Sequence, residues 1–209
     1  MTDAKKPMAE ANRISSMLNT VLGADRFPVK VDELALEYSR QCFADSPIDT
    51  VRGEDLDGFD GLLKANKARS KWLVLYNSAT PSEGRKRFTI AHEFGHYIGM
   101  DHTQINSFAM NNGNTADDIY LPTMFPTATD DDTALIELNP DDIAWISELY
   151  PSGVSTLGAI EGYIRNSSGS NFSGANVIAR RANDPLYQAF SCVSNYKTNV
   201  SGFYRIPKI

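Results

Sequence analysis

The chain has 209 residues, of which 42% are apolar and 22% are charged. These fractions are close to those of average globular proteins, so they exclude a wholly disordered, collagen-like or coiled-coil chain. The formal net charge of −6 argues against nucleic acid or an anionic membrane as a general partner. A chain of this length can form one main core and a small second module.

The cysteine content and the N-terminal region bear on the compartment. Cys42 and Cys192 lie far apart and form no disulfide framework of the kind that small secreted domains use. No run of residues reaches the roughly 18 to 20 apolar positions of a membrane span, and residues 1–16 lack the apolar stretch of a signal peptide. We therefore expect a cytoplasmic protein, or a secreted one if the true N-terminus differs.

The first half of the chain predicts helices and a hairpin. Apolar residues at helical spacing over 14–22 predict an amphipathic helix that ends at Gly23. A second helix is predicted to start with Asp32 as its N-cap. The runs GFDGLLKA and KWLVLYNS predict a β-hairpin, and KWLVLYNS is either an edge strand for an extended peptide or a plain core strand. Residues 80–82 break the strand and offer N-caps for a third helix, RKRFTIAHEFGHYIGM.

The second half of the chain predicts a loop, a helix and strands. Residues 101–136 show neither helical nor strand periodicity and predict a long ordered loop, which is usually functional. The run LNPDDIAWISELYP predicts a helix with Asn139 as N-cap and Pro140 at the first helical position. Beyond it, Gly, Ser and Asn alternate with β-forming residues and predict short antiparallel strands. We therefore predict an α+β fold with a first domain at 1–152 and a short β-rich module at 153–209.

All three histidines lie within the eleven residues HEFGHYIGMDH, at positions 92, 96 and 102. Residues i and i+4 of an α-helix project from the same face, so His92 and His96 can bind one metal ion. Gly99 can adopt the left-handed conformation that ends a helix, after which the chain turns back and delivers His102. Three protein ligands and one open position are what a catalytic Zn²⁺ requires.

Glu93 follows the first of these histidines and is predicted to act at the open position rather than to bind the metal. Zinc lowers the pKa of a bound water from 15.7 toward about 7 and polarises a carbonyl group under attack. A carboxylate beside this water can act as general base and later as proton donor. The residues therefore predict peptide-bond hydrolysis, with His92, His96 and His102 as zinc ligands and Glu93 as the catalytic base.

The run HEFGHYIGMDH resembles the metzincin motif H-E-x-x-H-x-x-G-x-x-H at every defined position. PTMFP, at 122–126, is similar to the Met-turn of matrixin-type metzincins, and LNPDDIAWISELYP is similar to the helix that closes their catalytic domains. This resemblance covers 92–151 and implies a zincin-like metallopeptidase fold with Met124 beneath the metal as an apolar floor. It also implies a structural Ca²⁺, but the run Asp130–Asp132 lacks the ligand spacing of a calcium loop, which favours solvated charge.

Residues 8–98 resemble a different family. Two helices, a PV-x-V lead, a G-x-L hairpin and RKRFTIAHEFGHYI are similar to the ImmA/IrrE family of intracellular zinc peptidases, which act on repressor proteins in bacteria and mobile elements. In that family the third ligand is acidic and comes from further along the chain, where Asp117 and Asp118 are candidates. This alternative leaves His102 without a role in metal binding.

The C-terminal residues 153–209 resemble the beginning of a carboxypeptidase-regulatory-like β-domain, in their runs GAIEG, GANVIARR and SGFYRIP. The resemblance implies an incomplete module with an accessory or packing role. The whole sequence thus predicts a zinc-dependent endopeptidase that acts on a protein or peptide substrate. Two alternatives stay open: an ImmA-like repressor peptidase with an acidic third ligand, and a non-catalytic sensor or adaptor in which zinc organises a surface for a partner protein.

Overall fold

The computed structural model describes residues 29–127, 138–151 and 157–209. These residues contain three α-helices, two short 3₁₀ helices and seven strands, so the predicted α+β class is confirmed. The chain divides into two compact units, one of residues up to 80 with 89–94 and the other of 81–88 with 95–209. The predicted division at residue 153 stays a prediction, and the predicted helix at 14–22 and the run Asp130–Asp132 lie outside the described residues.

A three-stranded sheet forms most of the first unit. Its strands are β1 (Ile48–Glu54), β2 (Gly61–Ala65) and β3 (Trp72–Asn77). Strand β2 pairs with β3 in antiparallel register, which confirms the predicted hairpin. Strand β1 pairs with the other side of β3 in parallel, so the strand order is β1-β3-β2. The run KWLVLYNS is therefore the central strand, which excludes the edge-strand interpretation of it.

Helix α1 (Val31–Cys42) packs beside this sheet. It begins two residues earlier than predicted: Lys30 is the N-cap residue, and Asp32 lies in the first turn instead of capping the helix. An acidic residue in the first turn still stabilises the positive end of the helix dipole. The hydroxyl of the buried Ser39 accepts a hydrogen bond of 3.0 Å from the Ile48 backbone N–H, which links the helix to the start of β1.

Helix α2 (Glu83–Tyr97) carries the HEFGH run and confirms the third predicted helix. The Arg85 backbone N–H donates to Ser82 Oγ at 3.1 Å, so a residue of the predicted 80–82 segment caps the helix. Residues 89–94 of the helix belong to the first unit and its two ends belong to the second.

The second unit contains the segment 101–127 and helix α3 (Pro140–Leu149). The segment includes two 3₁₀ helices that the sequence did not predict, at Ala109–Asn111 and Thr115–Tyr120. Helix α3 begins as predicted, with Asn139 as N-cap and proline at the first helical position. A small apolar cluster of Ala109, Leu121 and Phe125 holds the segment together.

The C-terminal residues form two antiparallel strand pairs, which confirms the short strands predicted there. One pair joins β4 (Ala159–Tyr163) to β7 (Phe203–Pro207), and the other joins β5 (Asn176–Arg180) to β6 (Ala189–Val193). Cys42 and Cys192 are both free thiols. Within the described ranges, no helix combines the length and the apolar character that crossing a membrane requires.

Buried hydrogen bonds connect α3 to strand β6. The Asp141 carboxylate is 3% exposed and accepts a hydrogen bond of 2.8 Å from the Ser191 backbone N–H. The Trp145 indole N–H donates to the Ser191 carbonyl at 2.9 Å, and the Ser191 hydroxyl lies 2.9 Å from the Thr103 hydroxyl. This network leaves a carboxylate in an environment from which water is largely excluded.

Burial raises the pKa of Asp141 to about 7. This folded-state pKa exceeds the pKa of the same carboxyl in the unfolded chain. The protonated carboxyl therefore makes its full contribution to the free energy of unfolding below about pH 4, and this contribution is lost as the pH rises to about 7. We expect the metal-free wild-type protein to lose up to about 4 kcal/mol of unfolding free energy over this range, relative to Asp141→Asn. Urea denaturation of both proteins from pH 4 to 8 measures this, and a pH-independent difference between them would contradict it.

Candidate metal centre

The three histidines of the chain converge. His92 and His96 lie one turn apart on α2, and His102 follows the end of the helix. One ring nitrogen of each lies within 4.8 Å of those of the other two. His92 is buried, His96 is half-buried and His102 is exposed. In the described ranges this is the one group of three or more His, Cys, Asp or Glu side chains that could hold a metal ion. The structure thus brings the three predicted ligands together.

The turn between His96 and His102 is fixed by backbone hydrogen bonds. The Gly99 N–H donates to the His96 carbonyl at 3.0 Å, and the Met100 N–H donates to the Gly95 carbonyl at 2.9 Å. This pair of bonds is a Schellman motif, which needs a left-handed residue. Gly99 supplies it, with φ of +96°. The predicted role of Gly99 in ending the helix is therefore confirmed.

The ring orientations suit a shared metal ion. His96 Nδ1 lies 3.0 Å from the Met100 carbonyl oxygen. Since a carbonyl only accepts, Nδ1 carries the proton, and the Nε2 lone pair faces His102 Nε2 at 3.0 Å. Two nitrogens bound to one tetrahedral zinc at about 2.0 to 2.1 Å would be about 3.3 Å apart, close to this separation. The donor set therefore fits Zn²⁺.

The local environment also favours the ligand form of His102. Neighbouring atoms cover part of this otherwise exposed imidazole, which lowers its pKa by desolvation, and the neighbouring His96 lowers the pKa further. Neutral imidazole is the form that binds metals.

Glu93 lies beside the first strand of the hairpin. It is 8% exposed, on the helix turn that also carries His92. A Cβ atom on Gly61 would lie 2.8 Å from Glu93 Oε1 and 2.5 Å from Thr89 Cγ2. Only glycine allows so close an approach between β2 and the helix. The glycine belongs to the GFDGLLKA run of the predicted hairpin, but no local sequence pattern predicts its contact with Glu93.

Met124 packs against helix α2, which carries His92 and His96. It is 2% exposed, and its Sδ lies 2.5 Å from the position that a Cβ on Gly95 would occupy. Gly95 immediately precedes His96, so the thioether lies against the helix segment that holds the second predicted ligand. The role of Met124 as an apolar floor beneath the metal stays a prediction.

The Asp142 carboxylate fixes the backbone at Met124 and at the start of α3. It accepts hydrogen bonds from the N–H groups of Thr123 at 2.8 Å, Met124 at 3.2 Å and Asn139 at 3.1 Å. The Met124 carbonyl in turn accepts from the Thr103 N–H at 3.0 Å, directly after His102. This anchoring joins residues that are distant in sequence, so the local pattern around Asp142 does not predict it.

The acidic candidates for a third ligand lie elsewhere. Asp117 Oδ2 accepts a hydrogen bond of 2.7 Å from Asn112 Nδ2, and Asp118 is buried within the second 3₁₀ helix. Neither carboxylate belongs to the three-histidine group. In the described parts of the chain, His102 is therefore the better candidate for the third ligand.

A cavity of about 460 Å³ adjoins two of the histidines within the second unit. His96 and His102 form part of its lining. The rest of the lining includes residues of α3 and of the C-terminal strands, among them Trp145, Val193 and Lys197.

Comparison with known proteins agrees with this geometry over part of the chain. Residues 48–120 match the family model Peptidase_M78, described as the IrrE N-terminal-like domain. The match includes the sheet, the three histidines and Glu93, and it supports a zinc metallopeptidase-like family. No curated protein matches the chain significantly. The metzincin, Met-turn and carboxypeptidase-regulatory resemblances remain interpretations of the sequence.

The contact between Gly95 and Met124 predicts an unusual response to a helix-stabilising substitution. By helix propensity alone, Gly95→Ala would raise the unfolding free energy by about 1 kcal/mol. Because the new methyl group overlaps Met124 Sδ, we expect a net loss of about 1 to 3 kcal/mol instead. Combining Gly95→Ala with Met124→Ala should cost less than the sum of the two single changes, as measured by urea denaturation. Additive single and double variants would contradict the overlap.

Proposed function

We propose that the chain is a zinc-dependent endopeptidase that hydrolyses peptide bonds in protein or peptide substrates. The observation that carries the proposal is the convergence of the His92, His96 and His102 nitrogens within 4.8 Å, next to the buried carboxylate of Glu93. The match of residues 48–120 to the IrrE N-terminal-like domain supports it.

In this proposal His92, His96 and His102 hold zinc, and Met100 orients the His96 ring through its carbonyl. When bound, zinc supplies a Lewis acid that acidifies water and polarises the scissile carbonyl. A carboxylate oxygen of Glu93 accepts the proton of the attacking water and then donates it to the leaving amine nitrogen. The C–O bond forms and the C–N bond breaks, so the two products are a carboxylic acid and an amine.

The position of strand β2 favours an extended peptide as the substrate. It is an edge strand, because no other described strand pairs with its outer side. Its first residue, Gly61, adjoins Glu93. An extended peptide that adds to this edge by backbone hydrogen bonds would run past the predicted base.

Replacing the predicted base tests the chemistry. We expect Glu93→Gln to slow peptide cleavage at least about 100-fold and to keep one zinc per chain, since the amide cannot accept the proton. Glu83→Gln is the matched control, because Glu83 lies in the first turn of the same helix with its side chain 77% exposed. Digestion of an unbiased peptide library, with and without chelator, gives the rates, and atomic absorption gives the zinc content.

A wild-type protein that binds one zinc and cleaves no peptide would contradict the endopeptidase proposal. That result would favour the non-catalytic sensor or adaptor.

Replacing the third histidine tests the ligand set. We expect His102→Ala to lose zinc at concentrations that saturate the wild type, because two protein ligands hold the metal far less tightly than three. Asp117→Asn and Asp118→Asn should keep it, since neither carboxylate joins the histidine group. Equilibrium dialysis against buffered zinc measures all three variants. Stoichiometric zinc and intact cleavage in His102→Ala would instead favour the acidic third ligand.

A further inference from the structure

The position of His102 depends on the turn that precedes it. The side chain is exposed and lies beyond the end of α2, so the helix does not hold it directly. Within this turn, the Met100 carbonyl accepts the hydrogen bond that orients His96, two residues before His102. Whatever fixes residues 99–101 therefore fixes both of the ligands that face each other at 3.0 Å.

The loop between β6 and β7 binds this turn through two side chains. Lys197 Nζ donates to the Gly99 carbonyl at 2.9 Å and forms an ion pair with Asp101 Oδ2 at 2.9 Å. The Tyr196 hydroxyl donates to the same Asp101 oxygen. The contacts at Gly99 and Asp101 flank Met100 on both sides.

The Tyr196 hydroxyl is suited to donate a hydrogen bond at every pH in the neutral range. Burial raises the pKa of its hydroxyl, and the hydrogen bond to Asp101 raises it further. The hydroxyl therefore keeps its proton over the whole neutral range.

The loop backbone adopts conformations that cost free energy. Lys197 has φ of +55°, in the left-handed region that a lysine side chain disfavours, and Asn195 and Asn199 on either side of it adopt the same region with φ of +71° and +54°. Strained residues of this kind persist where surrounding contacts hold them, and they concentrate at functional sites. Here the strained segment is the one that supplies both side chains to the turn.

These contacts are poorly suited to stabilise the whole fold. The side chains of Lys197 and Asp101 are 46% and 50% exposed, and exposed ion pairs contribute little to global stability. Hydrogen bonds that orient a metal ligand act differently: loss of one made directly to the ligand typically lowers metal affinity 10- to 100-fold, and the contacts here act on His96 and His102 through the backbone of residues 99–101. Loss of these contacts should therefore lower the zinc affinity more than it lowers the free energy of unfolding.

We propose that Tyr196 and Lys197 are positioning residues for the metal centre, and that the C-terminal β-rich segment thereby sets the zinc affinity. The inference rests on the zinc site of the proposed function. It gives the C-terminal segment a direct part in the site, in place of the accessory or packing role that the sequence implies.

The test compares zinc affinities of full-length variants by competition with a chromophoric chelator. We expect Tyr196→Phe with Lys197→Met to weaken zinc binding at least about 10-fold, and Lys197→Arg to keep most of the affinity, since arginine can still donate to both acceptors. The unfolding midpoint of each metal-free variant, measured in parallel, ensures that affinities are compared between folded proteins.

Two changes elsewhere in the C-terminal segment serve as matched controls. Lys208→Met removes an ion pair of 3.7 Å with Glu148 on α3. Tyr163→Phe removes the hydroxyl group from a ring that packs against Phe203 and keeps the ring. Both controls should bind zinc within about twofold of the wild type, a difference well below the effect of a lost ligand-orienting contact.

The outcomes separate the two proposals. If the double variant binds zinc within twofold of the wild type, or if the controls weaken binding as much as it does, the positioning role is overturned. If the wild type itself fails to bind one zinc, the zinc site of the proposed function is overturned first.

Discussion

The geometry of the three-histidine group depends on how helix α2 ends. A continuing helix would carry the residues after His96 away from the site. The left-handed conformation of Gly99 and the two hydrogen bonds back to Gly95 and His96 stop the helix and reverse the chain within a few residues. His102 reaches His96 only because of this reversal, so one backbone conformation decides whether two or three imidazoles share a site.

Contacts from distant parts of the chain then stabilise this arrangement. Asp142 of α3 holds the backbone at Met124, and Met124 lies against Gly95 and accepts a hydrogen bond from Thr103. The hydroxyl of Tyr150, at the end of the same helix, donates to the Ile98 carbonyl at 2.7 Å. Carbonyl groups that the helix end leaves without intrahelical partners thus find donors in α3 and in the loop after β6. The turn between His96 and His102 is held as part of the second unit's tertiary structure.

Local rules explain what could be predicted from the sequence. The histidine spacing, the left-handed Gly99 and the Asn139-Pro140 start of α3 follow from neighbouring residues alone, and the structure contains each of them. Strand β1 escaped prediction because charged residues such as Arg52 and Glu54 interrupt its apolar pattern, and because its parallel pairing with β3 is non-local.

The remaining parts of the site depend on long-range contacts. The anchoring by Asp142 joins residues 18 and 19 positions apart, and the bond from Lys197 to Gly99 spans 98 positions. No local periodicity or capping rule carries such information.

The close approach at Gly61 has a practical consequence for recognising related sites. This glycine lies far from the histidine motif in the chain, yet a side chain there would occupy the space of Glu93 Oε1. A short zinc motif alone also occurs in ordinary helices. A search pattern that also required glycine at the start of the preceding hairpin would test for room around this carboxylate as well as for the spacing of the histidines.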